Sequence, residues 1–169
     1  MEMVFLIKKL DETLKNNYSK NEKQEQYYAL VIKYKDTPSI DSIGLHLKII
    51  ESNGFCWFGK IGKNTAPISV ITIANKLPAE VILYSKSNAY RCICTDIQYK
   101  KPSEKAYPLY YEDIWKENNE AMSIFFKFIS IKKMKTAELE KYIVESNKNN
   151  LLHSLKKGSM TCVLARRII

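Results

Sequence analysis

Between Tyr99 and Trp115 five aromatic residues, Tyr99, Tyr107, Tyr110, Tyr111 and Trp115, are interleaved with Lys100, Lys101 and Lys105. Aromatic faces stack on flat heterocycles and ammonium groups meet phosphate, so this mixture suits an unpaired or extruded nucleobase. The rival reading is a hydrophobic core under a loop. For Tyr110, Tyr111 and Trp115 both readings stand, whereas Phe125, Phe126 and Phe128 fall within a strand pattern and read as core. Trp57 precedes Phe58 and Gly59 at a strand end, where glycine permits close backbone approach and an indole could floor a pocket.

Other chemistries find little support. The chain has no Gly-x-x-x-x-Gly-Lys-Ser/Thr loop, no Gly-x-Gly-x-x-Gly run and no nucleophile elbow, which removes the usual cradles for nucleoside triphosphates and dinucleotides. His46 and His153 each fall among apolar residues on an expected helix with no recognisable partner, and read as structural or surface residues. Glu112, Asp113 and Glu117 lie beside aromatics but lack a metal or a second acid at fixed spacing, so they read as solvated carboxylates. Cys56, Cys92, Cys94 and Cys162 contain no Cys-x-x-Cys pair and read as buried, reduced thiols. No metal, no cofactor and no enzymatic activity are expected.

The positive charge is uneven. Residues 146 to 169 hold five bases and no acids, more than half of the net +9. Lys148, Lys156, Lys157, Arg166 and Arg167 therefore form the region where a polyanion meets no carboxylate from the local sequence. Phosphate contacts are expected from Lys156, Lys157, Arg166 and Arg167 and, beside the aromatic stretch, from Lys100 and Lys101. A Lys- and Asn-rich composition that merely yields a basic surface is the plainer explanation.

At 169 residues, with 46% hydrophobic residues and only five Gly and five Pro, the chain is a single domain over 1–169. A chain of this size buries roughly 70% of its unfolded surface and needs no staple. Its apolar runs are far short of the ~20 residues that cross a bilayer. No signal peptide is evident, and the expected location is cytoplasmic.

The elements that must position these residues read in order. Residues 2 to 18 have helical apolar spacing, Ser19 to Gln26 form a loop, and Tyr27 to Tyr34, with Ala29, Leu30, Val31 and Ile32 consecutive, form a strand covered on both faces. Ser39 to Ser42 offer N-caps, so Ile43 to Ile50 favours helix over strand. Phe55 to Lys60 is a strand, Ile61 to Pro67 a loop, and Ile68 to Asn75 fits either a short helix or a strand. Glu80 to Ser85 and Tyr90 to Tyr99 form a hairpin around Lys86-Ser87-Asn88-Ala89. After the basic loop Lys100 to Pro108 comes a strand over Ser123 to Ile131. Thr136 then caps a helix containing Leu139, Tyr142 and Ile143, Asn150 to Lys156 forms another, and Met160 to Ile168 closes as a strand. The sum is an α+β fold: a small curved mixed or antiparallel sheet, or a β-barrel, flanked by helices.

The succession Ser52-Asn53-Gly54-Phe55-Cys56-Trp57-Phe58-Gly59, then Ala79 to Ser85, then Tyr90 to Ile97 resembles the PUA-like superfamily, particularly its EVE and YTH-type branches. The resemblance spans about residues 27 to 135. Ala79-Glu80 stands where that family has Gly-Asp, and Cys92 or Cys94 replaces its small residue after the hairpin. The resemblance implies a barrel whose pocket holds a modified or flipped base between aromatic rings. Trp57 would be a pocket wall, Tyr84 and Ser85 would lie at its mouth, and Tyr110 or Trp115 would supply the opposing ring. It further implies a reader of nucleic acid, DNA favoured over RNA, of the kind that serves modification-dependent restriction beside a nuclease or ATPase domain or subunit. Two other classes remain open: a protein-interaction or assembly module anchored by Tyr110 and Trp115, and a binder of a small nucleotide signal.

Overall fold

The computed structural model describes residues 2–17, 26–35, 39–62, 67–86, 88–158 and 161–168. Seven strands, β1 (Tyr28–Lys33), β2 (Cys56–Ile61), β3 (Ala79–Ser85), β4 (Asn88–Gln98), β5 (Met122–Met134), β6 (Tyr142–Val144) and β7 (Cys162–Arg167), form one mixed sheet in the order β2-β5-β4-β3-β1-β7-β6. The helices are α1 (Glu2–Asn17), α2 (Ser42–Asn53), α3 (Pro67–Ala74), α4 (Tyr110–Glu117) and α5 (Leu151–Lys157), with a 3-10 helix at Thr136–Lys141. The fold is α+β as expected. Of the two expected architectures the sheet is found, because among the described residues the edge strands β2 and β6 do not pair.

β1 runs parallel to β3 and antiparallel to β7, and the remaining pairs are antiparallel. Its consecutive apolar residues are explained by cover on both faces. Leu30 and Ile32 pack with Val81, Leu83, Ile43 of α2 and Val70 and Ile73 of α3. Ala29 and Val31 face the other way, with Ile82, Tyr84, Leu139 and the leucines of α5. Burying each large apolar side chain stabilises the fold by roughly 1.5–3 kcal/mol.

The register of β4 against β5 shifts between Ile93 and Cys94 and again between Cys94 and Asp96. Such bulges bend a strand and increase its twist. The sheet curls accordingly, and β2, four places from β1 in sheet order, lines the same cavity as β1. The outer edge of β2 is covered rather than open: Trp57 N–H donates to the Ala106 carbonyl at 2.7 Å, and Gly59 N–H to the Tyr111 hydroxyl at 2.9 Å. α2 begins where the Asp41 side chain accepts from Gly44 N–H at 3.0 Å and ends at Gly54, whose φ of 83° favours glycine.

Some expectations change. Pro67–Ala74 is a helix, its β-branched residues notwithstanding, and Pro67 opens it rather than ending a loop. The helix expected through Leu139, Tyr142 and Ile143 stops at Lys141, with Lys135 rather than Thr136 at its cap position. Tyr142 instead begins β6, where its hydroxyl donates to Glu80 Oε1 at 2.9 Å and Tyr142 and Val144 are buried. β4 starts at Asn88, so the hairpin turn is shorter than expected. Tyr110–Glu117, left unassigned in the sequence, is α4. Most of the Ser19 to Gln26 loop, and residues 63–66 of the next, lie outside the described residues.

Candidate functional site

α4 divides its residues by face. Tyr111 and Trp115, four apart, turn inward and join Trp57, Tyr107, Met122 and Phe125 in a buried aromatic cluster. Tyr110, Asp113, Ile114 and Glu117, spaced three and four apart, line a cavity of about 600 Å³. Across it stand Ile32, Lys33, Tyr34 and Lys35 at the end of β1, and Phe58 to Ile61 of β2. The cavity thus fills the gap that the curled sheet leaves between β2 and β1, and it lies in the range of roughly 300–1,000 Å³ typical of small-ligand sites.

A chain of hydrogen bonds fixes its floor. His46 is fully buried, and burial lowers its imidazole from the ordinary 6.5 to about 4 against the opposing effect of the Ser42 carbonyl, so the ring is neutral near pH 7. Its Nδ1 lies 2.7 Å from that carbonyl, which only accepts, so Nδ1 carries the proton. Nε2 is then an acceptor and receives a hydrogen bond from the Tyr111 hydroxyl at 2.7 Å. The same hydroxyl accepts from Gly59 N–H. Burial pushes the Tyr111 phenol well above its ordinary value and keeps it protonated. Tyr110 meets the Tyr111 ring edge-on, centroids 5.0 Å apart, and its hydroxyl lies 3.0 Å from Ser42 Oγ. α2, α4 and β2 therefore hold one another through polar side chains, and Tyr110, half-buried, forms an aromatic wall of the cavity.

The cavity's rim is basic on one side. Lys33 N–H donates to the Thr161 carbonyl at 2.9 Å and its ammonium to the Gly158 carbonyl at 2.8 Å. Gly158 directly follows Lys156 and Lys157, both exposed, so the C-terminal end of α5 lies near the end of β1.

A family model described as Pua-like matches residues 30–161. The chain belongs to the PUA-like family. This match covers more than three-quarters of the chain, and PUA-like domains are nucleic-acid-binding in general. No curated protein matches the chain in sequence. No helix of the described residues is long and apolar enough to cross a membrane.

Within the PUA-like domain the expected site residues scatter. Tyr110 lines the cavity. Trp57 is only 3% exposed and sits behind it in the aromatic cluster, where its Nε1 has no hydrogen-bond partner among the described residues. Trp115 is enclosed in the same cluster beneath the Lys101 ammonium, 4.1 Å from the ring centroid. Tyr84 and Ser85 are buried, Tyr84 in the cluster on the α5 side of the sheet. Lys101 also pairs with Glu112 at 3.5 Å, next to Lys100 on the same loop. Arg166 lies opposite Tyr28 and Cys162 opposite Ile32, so Arg166 and Arg167 occupy the end of β7 away from the cavity. Arg166 pairs there with Glu145 at 3.0 Å, as does Lys148 at 2.6 Å, so carboxylate does reach the basic tail.

Several lining residues escaped the sequence reading. Phe58 and Lys60 alternate with Trp57 along β2, and strand parity alone could have separated them. Lys33-Tyr34-Lys35, a basic-aromatic-basic triplet closing a buried run, was the other available signal. The four cysteines are buried as expected, three of them, Cys56, Cys94 and Cys162, pushed by burial to about 12, 12 and 11. Among the described residues no group of His, Cys, Asp and Glu could hold a metal.

Proposed function

We propose that this PUA-like domain is a non-enzymatic reader that seats one unpaired or extruded base in the cavity between β1, β2 and α4. The carrying observation is a cavity of about 600 Å³ with an aromatic floor and wall, Phe58, Tyr111 and Tyr110, lined also by Lys33 and Lys35. The base stacks on Tyr110, and the flanking phosphates lie along Lys35 and the end of α5. A modified base, DNA as the polymer, and service beside a nuclease or ATPase in modification-dependent restriction are the finer form of this reading and rest on the resemblance of the strands to EVE and YTH-type domains.

The test is fluorescence anisotropy with short single-stranded and duplex DNA and RNA, methylated and unmethylated, at two salt concentrations. Wild type is expected to bind single strands with a salt slope near −0.7 per phosphate neutralised. Tyr110→Ala is expected to weaken binding by the ~1–3 kcal/mol of one stacked base, and Lys35→Ala to flatten the salt slope. Salt-insensitive retention, equal in wild type and Tyr110→Ala, would remove the reading.

A further inference from the structure

A second, smaller cavity of about 170 Å³ is lined by side chains of the other sheet face. The ladder register fixes that placement. Arg91 of β4 lies directly opposite Ile82 of β3 and Lys132 of β5, and Ile82 packs with Ala29, Val31 and Tyr84, whereas Ile32 and Phe58 face the first cavity. Arg91 and Lys132 both line the second. Residues directly opposite in an antiparallel ladder have Cβ atoms about 4.5–5.5 Å apart, and like charges in that relation repel.

The chain answers only one of these cations. Arg91 Nε lies 3.4 Å from Glu80 Oε1, an ion pair without hydrogen-bond geometry, and 40% of the arginine side chain stays exposed. Glu80 is engaged further, since Oε1 accepts from the Tyr142 hydroxyl at 2.9 Å and Oε2 from the Tyr27 hydroxyl. Lys132 is exposed and has no ion pair or hydrogen bond among the described residues. Ser130, two residues before it on the same strand face, also lines the cavity. That serine is only 9% exposed, and its hydroxyl has no hydrogen-bond partner among the described residues.

A guanidinium, an ammonium and a buried hydroxyl around one small space can all donate, and a single anion with several oxygens satisfies them together. The cavity has room for about five or six waters, below the roughly 300–1,000 Å³ of drug-sized sites, so it suits one compact group. One carboxylate opposes this. Asp11 of α1 lines the same space and forms no ion pair with either cation.

We propose that the second cavity binds a phosphate group, whose oxygens accept from the Arg91 guanidinium, the Lys132 ammonium and the Ser130 hydroxyl. Asp11 holds the affinity down. The phosphate comes from a nucleic-acid backbone or from a small phosphorylated molecule, and the site does not depend on a base entering the first cavity.

The experiment is a nitrogen–proton correlation NMR titration of the full chain with inorganic phosphate, replacing chloride at constant ionic strength. Saturable shifts are expected at the amides of Arg91, Ser130 and Lys132. Lys132→Gln is expected to weaken binding about two- to fivefold, the worth of one exposed ion pair. Lys133→Gln removes the same charge from the next residue, which lies opposite Tyr90 on the other face, and is expected to leave the affinity unchanged. Asp11→Asn should tighten binding about two- to fivefold, and Glu12→Gln should not. Arg91 is kept, because its loss would strand the buried carboxylate of Glu80. Shifts that fail to saturate, or equal effects of Lys132→Gln and Lys133→Gln, overturn the proposal.

A second titration, with adenosine monophosphate and with a short single strand, identifies the source. If the strand moves the same amides and Lys132→Gln lowers its salt slope by about 0.7, the site holds a polymer backbone. If the monophosphate moves them and the strand does not, it holds a small phosphorylated molecule. A strand that binds nowhere removes the base-reading function and leaves the phosphate site standing.

Discussion

The Tyr111 hydroxyl donates to Nε2 of His46 across 2.7 Å while accepting from Gly59 N–H, so one phenol joins α4 to α2 and to the edge strand β2. Such a junction is directional. Each group has one role, and reversing any of them leaves a buried donor or acceptor unpaired at a cost of about 1–3 kcal/mol.

That junction makes stability depend on pH. The imidazole of His46 is lowered to about 4 in the folded chain from 6.5 in the unfolded chain. Between those values the unfolded state binds a proton that the folded state refuses, so stability is full above about pH 6.5 and falls as pH drops toward 4. The integrated loss is about 3 kcal/mol. Urea unfolding at pH 7, 6 and 5 checks it. In His46→Gln that segment of the pH dependence is expected to vanish, and an unchanged slope would rule out His46 as its source.

Gly59 admits no side chain. A Cβ there would sit 2.4 Å from Met122 Sδ and 3.1 Å from Phe125 Cε1. Gly59→Ala is expected to destabilise by about 1–3 kcal/mol through overpacking. Because Met122 is flexible, Met122→Ala added to it is expected to cost less than the two single changes summed, a coupling that a double-mutant cycle measures.

Trp57 is a packing residue by placement, and its substitutions separate stability from recognition. Trp57→Ala is expected to cost about 3–5 kcal/mol. Trp57→Phe should be milder, since the indole Nε1 loses no hydrogen bond. Under conditions where the Phe variant is fully folded, its affinity for oligonucleotides is expected to match wild type. A tenfold loss there would place the indole in the recognition surface.

All four thiols are buried, and burial raises Cys92 well above its ordinary range along with the other three. A thiol reagent at pH 8 should therefore react slowly with the native chain and titrate four thiols in denaturant. Stability is also expected to decline above about pH 9, where unfolded thiols ionise and folded ones do not. Fast labelling of native protein would contradict the enclosure.

Much of the fold was legible because it is local. Four consecutive apolar residues announced β1, and turn chemistry announced the β3–β4 hairpin. The cavity was not legible, since its walls come from residues 32–35, 58–61 and 110–117, joined by a curl set at bulges near Cys94 that leave no compositional trace. Parity misdirected the reading of aromatics: Trp57 and Phe58 are neighbours in sequence and opposite in direction, and only the latter lines the cavity. Tyr142 shows the same limit, since its spacing from Leu139 suits a helix while its hydroxyl answers Glu80, sixty-two residues away.

Among the described residues β2 has one ladder partner, β5, and its other edge is clasped by the Ala106 carbonyl and the Tyr111 hydroxyl. The strand that walls the cavity is thus an edge strand of the sheet, held on one side by a ladder and on the other by two hydrogen bonds. A ligand resting on Phe58 and Gly59 would oppose local melting of this edge, and occupancy would register as slowed deuterium uptake at Trp57 and Gly59 before it changed anything at the centre of the molecule.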